Sequence, residues 1–160
     1  MLIQCYVDAS FGVHANKRSH SGLVVIMGKF STILNNSSKQ KRAAKSTSES
    51  ECIALAEKVS FGLFIRLLLI NMGYKVQLEV MEDNQTAIMR NTQVSRPALA
   101  TRHMSIEYFW LLDYVEEGIV TVKSVTDPEQ LADINTKPLT GSKFYDKSIM
   151  VQNHDWRNNS

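Results

Sequence analysis

Five carboxylates stand where patterned stretches of the chain begin or end. Asp8 closes LIQCYVDAS and Asp83 closes KVQLEVMED. Glu49 and Glu51 lie two apart in STSESECIALAE, and Asp133 lies inside DPEQLADINTKPL. If such acids converge, each close pair costs about 4 kcal/mol at an effective dielectric near 20. A cluster of that kind calls for bound cations. Ligands that are all oxygen favour Mg²⁺ or Mn²⁺, and two such ions about 4 Å apart can activate a water and stabilise the leaving oxygen in phosphodiester cleavage. Each acid also has an ordinary reading. Asp8 and Asp83 fit turns at strand ends, and Asp133 fits an exposed helix position. Ser46-x-x-Glu49 and Ser48-x-x-Glu51 both fit the capping box, in which the N3 carboxylate bonds back to the helix start. On pattern alone, Glu49 and Glu51 remain alternatives for the cluster.

The elements that must position these acids are legible in outline. LIQCYVDAS, SGLVVIMG and FSTILNN read as three strands joined by short polar gaps, which is an antiparallel meander. From Glu51 to Met72 apolar residues recur at helical spacing, with Gly73 as a stop. KVQLEVMED alternates like a strand, which would turn Glu82 away from the face that Asp83 takes. NQTAIMRN reads as a short helix with Asn84 at its N-cap, TQVSRPALATRH as a loop, MSIEYFWLLDYVEEG as an amphipathic helix and IVTVKSVT as a strand. DPEQLADINTKPL opens a helix with Asp127 at the N-cap, Pro128 at N1 and Gln130 at N3, placing Asp133 in its second turn. The fold class is therefore α/β: a five-stranded mixed sheet, three antiparallel strands then two parallel, with helices packed on it. In an open sheet, sites form at strand C-terminal ends, which is where Asp8 and Asp83 would meet.

The bulk numbers bound this reading. At 160 residues the chain is expected to be one domain with a sizeable core. Residues 1–143 read as that domain and 144–160 as a partly disordered tail. The start carries no signal-peptide pattern, and the longest apolar run, FGLFIRLLLINMG, is broken by Arg66, so no membrane span is expected. Cys5 and Cys52 match no metal or redox spacing and read as buried free thiols in a reducing compartment. Charge is uneven. Residues 1–50 hold seven Lys/Arg against Asp8 and Glu49, whereas the remainder holds eleven basic against fourteen acidic residues. A basic first third suits a polyanionic partner.

Six blocks in order give the sequence a family likeness: YVDAS, KRSHSGLVV, KSTSESECIALAE, MEDNQTAI, TRHMSIEY and EQLADINTKPL. Together they resemble the ribonuclease H domain of copia-type LTR retrotransposon polyproteins, from about Tyr6 to Leu139. The resemblance implies a ribonuclease-H-like fold and hydrolysis of the RNA strand of an RNA/DNA hybrid, leaving a 5′-phosphate and a 3′-hydroxyl. It selects Glu51, just before Cys52-Ile53-Ala54-Leu55, as the metal-binding glutamate and leaves Glu49 a local role. The implied metal-binding and catalytic set is Asp8, Glu51, Asp83 and Asp133, holding two Mg²⁺ ions, with Mn²⁺ able to substitute. Telling RNA from DNA requires contact with the 2′-hydroxyl, for which Ser48, Asn84 and Gln85 are placed by position. The basic run Lys39, Lys41, Arg42 and Lys45 is placed to hold the phosphate backbone.

The implied partners are the hybrid and the reverse transcriptase portion of a parent polyprotein. The implied setting is a cytoplasmic virus-like particle or the nucleus. The chain is expected to be a piece excised from such a polyprotein or an isolated relic of one. There are departures from the family pattern: Asp-Ala-Ser at 8–10, Ser50-Glu51-Cys52, and Glu82 before the aspartate. SVTDPEQLAD holds no histidine, where cellular ribonucleases H carry one, and His103 reads as a structural or substrate-side residue. The competing reading is a catalytically weak or inactive nucleic-acid-binding module. The four retained acids favour the enzyme.

Overall fold

The computed structural model describes residues 1–28, 31–84 and 105–152, with side chains from Trp110 onward in the segment that starts at 105. Five strands form one sheet: β1 Leu2–Ser10, β2 His20–Met27, β3 Ser31–Lys39, β4 Gln77–Glu82 and β5 Val120–Ser124. Their spatial order is β3-β2-β1-β4-β5. β1 and β3 run antiparallel to β2, whereas β4 is parallel to both β1 and β5. This is the mixed sheet expected from the sequence. β3 runs three residues further than FSTILNN, because its polar end still pairs with β2 up to His20–Lys39.

Alternation along the strands divides the core. Ile3, Cys5 and Val7 of β1 share one face with Leu23, Val25, Leu78 and Val80, packed against Ala54, Leu55, Val59 and Leu111 of the helical layer. The opposite face carries a smaller cluster of Val24, Ile26, Leu131 and Val151, with Tyr6 packed on it. β2 is thus apolar on both faces, which accounts for its unbroken hydrophobic run. Asp8 lies on the second face, in phase with Tyr6.

Helix α1, Thr47–Asn71, begins four residues before the apolar periodicity does, because Ser46 caps it. It ends at Gly73, whose φ of +90° suits glycine. Its close approach to the sheet depends on Gly62: a Cβ there would lie 2.5 Å from Cys5 Sγ. Burial pushes the Cys5 thiol up to about 12, and Cys5 and Cys52 are both buried and form no disulfide. Helix α2, Ser105–Glu116, packs on α1 and β5.

The expected helix over 127–139 is broken in two. A 3-10 turn spans Asp127–Glu129, and a single-turn helix α3 spans Asp133–Thr136. Thr126 rather than Asp127 is the N-cap, with its amide and hydroxyl both donating to Glu129 Oε2. The break comes at Gln130, which is fully buried and extended: its amide donates to Val7 O of β1 at 2.9 Å. Helix α4, Gly141–Gln152, buries Tyr145, Lys147, Ser148 and Val151. The boundary expected at residue 143 therefore falls inside a packed helix. No helix among the described residues is long and apolar enough to cross a membrane. The expected helix over 84–91 beyond Asn84, the loop over 92–103, Gln85, His103 and the tail from 153 lie outside the described residues.

Candidate active site

Three of the expected acids meet. The β1–β4 register pairs Tyr6 with Met81, so Asp8 and Asp83 come level at the C-terminal ends of neighbouring parallel strands. Asp133 reaches them as the first residue of α3 rather than from a second helical turn. One carboxylate oxygen from each of Asp8, Asp83 and Asp133 lies within 4.8 Å of the others. Asp8 and Asp133 are buried and Asp83 is half-buried.

The approach of α3 is written into a glycine. Gly22 sits opposite Asp8 in β2. A Cβ at that position would lie 2.7 Å from Thr136 Cγ2 and 2.9 Å from Ala132 O, so α3 lies directly on this bare backbone. Asn135 fastens it by donating to Leu23 O at 3.1 Å and Asn35 Oδ1 at 2.6 Å. A polar chain from His14 through His20 and Ser37 to the Asn135 carbonyl ties the same helix to the β1–β2 turn.

The two glutamates separate cleanly. Glu49 Oε2 accepts from the Lys45 amide at 2.6 Å, and the Glu49 amide donates to Ser46 Oγ at 3.1 Å, so this acid serves the helix start. Glu51 is buried, and its Oε2 has no hydrogen-bond partner. Its pKa is pushed up to about 10, first by burial and then by the charges of Glu82, Asp8 and Asp83. Glu82 does alternate away from Asp83, but it is fully buried rather than remote. Burial first, then Asp83 and Asp8, hold its pKa well above the carboxylate range, and it raises that of Glu51. Its charge reaches the cluster from the α1 side of the sheet, which strand phase alone did not reveal. Glu82 Oε1 accepts from the Asn84 amide at 3.0 Å, and Oε2 has no partner.

Several groups that sequence reasoning passed over complete the site. Thr136 Oγ1 donates a very short hydrogen bond to Asp8 Oδ2. Lys137 Nζ lies 3.5 Å from Asp8 Oδ1 and makes a very short ion pair with Asp133 Oδ1. The buried Lys147 Nζ lies 2.8 Å from Asp133 Oδ2 and also donates to Asp127 O and Gln130 O at 2.7 and 2.6 Å. Burial raises the pKa of Asp8, an effect opposed by Thr136 and Lys137 and reinforced by Asp133 and Asp83. Helical spacing put Thr136 and Lys137 three and four residues beyond Asp133, which was a usable signal. Nothing local marks Lys147.

The remaining candidates sit along the same edge. β3 ends at the same end of the sheet as β1, and its connection to α1 carries Lys39, Lys41, Arg42 and Lys45, all exposed. Ser48 is half-buried in the first turn of α1, and Asn84 follows Asp83 directly.

No protein-family model matches the chain. In three dimensions it matches ribonuclease H1 from Halobacterium salinarum NRC-1 with a TM-score of 0.60 at 17% identity, covering 85% of this chain and 95% of that one. The fold is that of ribonuclease H. LC11-RNase H1, solved in complex with an RNA/DNA hybrid, has the same ribonuclease H fold, with a TM-score of 0.59 at 13% identity over 84% of this chain and 93% of that one. Along the sequence the chain is 29% identical over 149 residues to the retrovirus-related Pol polyprotein from transposon RE1 of Arabidopsis thaliana, covering 90% of this chain. It is 26% identical over 144 residues, 89% of its length, to that from transposon TNT 1-94 of Nicotiana tabacum. These matches agree with the resemblance carried by the six blocks. The chain spans only 10% and 11% of those two relatives.

Proposed function

We propose that the chain is a divalent-metal-dependent ribonuclease H that cuts the RNA strand of RNA/DNA hybrids during retrotransposon reverse transcription. The observation that carries this reading is the meeting of Asp8, Asp83 and Asp133 within 4.8 Å at the strand ends, with the buried Glu51 carboxylate close enough to feel the charges of Asp8 and Asp83. The donors are all carboxylate oxygens, which suits Mg²⁺ or Mn²⁺. The orphaned Glu51 Oε2 and a lysine ammonium drawn among the acids both suit a cation site. Bound divalent ions supply Lewis-acid activation of water and neutralise charge at the leaving oxygen.

In this reading Asp8 and Asp83 would hold metal, Glu51 would position one ion and the attacking water, and Asp133 would complete the second site. Ser48, Asn84 and Gln85 contact the 2′-hydroxyl. Lys39, Lys41, Arg42 and Lys45 hold backbone phosphates. The Pol polyprotein relatives support a reverse transcriptase as the covalent or docked partner. The setting in this reading is a cytoplasmic virus-like particle or the nucleus.

The test is incubation with an end-labelled hybrid, duplex DNA and duplex RNA, in Mg²⁺ and in Mn²⁺. Only the RNA of the hybrid should be cut. Asp83→Asn and Glu51→Gln should each lower the rate by at least about 100-fold, since even outer-shell partners of a metal site cost roughly 10- to 100-fold. Hybrid binding without cleavage would favour the binding-module reading instead. Cutting that survives Asp83→Asn would remove the site assignment.

A further inference from the structure

The acids at this site are not equally free to take a cation. Both oxygens of Asp133 already face ammonium groups: Oδ1 meets Lys137 and Oδ2 meets Lys147 at 2.8 Å. Lys147 is buried and anchored by two backbone carbonyls, so it is a fixture of the fold. Lys137 is different. Its side chain is 37% exposed, and its Nζ bridges Asp133 and Asp8, two of the three acids that converge at the strand ends. Glu51 stands differently: it is buried, its Oε2 has no hydrogen-bond partner among the described residues, and it feels the charges of Asp8 and Asp83 with Lys137 opposing them.

The cluster therefore already holds a cation supplied by the chain in contact with Asp8 and Asp133, whereas Glu51 feels that charge without an ion pair to it among the described residues. We propose that the Lys137 ammonium is a built-in occupant of the second cation position. The chain then loads a single divalent ion on the Glu51–Asp8–Asp83 side, and a second ion enters only when Lys137 swings out. This rests on the metal-dependent function proposed above and makes Lys137 a positioning residue that sets how many ions the site holds. The reason is Coulombic: a dication beside two ammoniums is repelled, and Asp133 has no free oxygen to offset that. The side chain can leave because its stem is long, flexible and half in solvent.

Ion counting in the absence of nucleic acid tests this. Mn²⁺ would be titrated into the whole chain by calorimetry, with free Mn²⁺ followed by electron paramagnetic resonance. The wild type should hold one ion. Lys137→Gln and Lys137→Met, the latter keeping an unbranched apolar stem, should hold two, or tighten the second by at least about tenfold. Lys137→Arg should behave as the wild type. Circular dichroism checks that each variant is folded, and two charge-removing variants guard against the loss of one. A wild type that already holds two ions, or a charge-removing variant with unchanged number and affinity, would overturn the role of Lys137 while leaving the nuclease reading intact. A chain that holds no ion and cuts no hybrid would remove both.

Discussion

Glu49 and Glu51 show how two residues of spacing can divide two jobs. On a helix they point about 200° apart, so when one lies at the exposed start the other must face inward. Glu49→Gln should therefore cost only about 0.3–1 kcal/mol through the helix start and leave cleavage near the wild-type rate. Glu51→Gln should abolish cleavage, and the hybrid assay separates the two. The inward glutamate also predicts a pH dependence. Its folded pKa, pushed up to about 10, lies above its ordinary 4.5. Between those values the native chain keeps a proton that the unfolded chain has released, so stability falls as pH rises through the interval. Between pH 7 and 9, above the titration range of His20, the metal-free chain should unfold at progressively lower denaturant. Glu51→Gln should reduce that slope, leaving the share carried by the buried Glu82 and Cys5, whose pKa values are also raised. A denaturation midpoint unchanged between pH 7 and pH 9 would contradict the buried, protonated state.

At the scale of elements, the site depends on how closely α3 lies on β2. Gly22→Ala places a methyl 2.7 Å from Thr136 Cγ2 and against the Ala132 carbonyl. Backbone cannot yield as a side-chain tip does, so the substitution should cost about 1–3 kcal/mol and lift Asp133 away from Asp8. Cleavage should fall further than stability alone explains, which a comparison of thermal unfolding with rate under folded conditions would reveal. Strand phase, the meander and the Gly73 stop were all readable, because they depend on neighbours along the chain. The break at Gln130 was not. A helix start was written at Asp127-Pro128, and it gave way because the Gln130 amide is claimed by a β1 carbonyl 123 residues away.

For the whole molecule, the proposed function pairs the acid cluster with the exposed basic residues of the β3–α1 connection. A divalent ion that binds only the folded chain should raise its unfolding temperature, by an amount equivalent to about 2.7 kcal/mol at one hundred times its dissociation constant. Chelator should reverse this, and Asp83→Asn should lose it. Hybrid binding should weaken with salt, and Lys41→Glu or Lys45→Glu should lower the slope of log affinity against log salt by about 1 each or more. A slope unchanged in both variants would take this connection out of the interface.

The sequence by itself determined the strands in chain order, their directions, the positions of Asp8 and Asp83 at strand ends, the two-sided burial of β2 and the alternation of β4. These follow from periodicity, which is local. Tertiary structure decided which charges the acids meet. Thr136 reaches Asp8 across 128 residues, Lys147 reaches Asp133 from a helix with weak local patterning, and Glu82 is buried against the cluster although it sits in the opposite strand phase. A carboxylate's partners depend on distances through space and on how much water remains nearby, and spacing along the chain encodes neither.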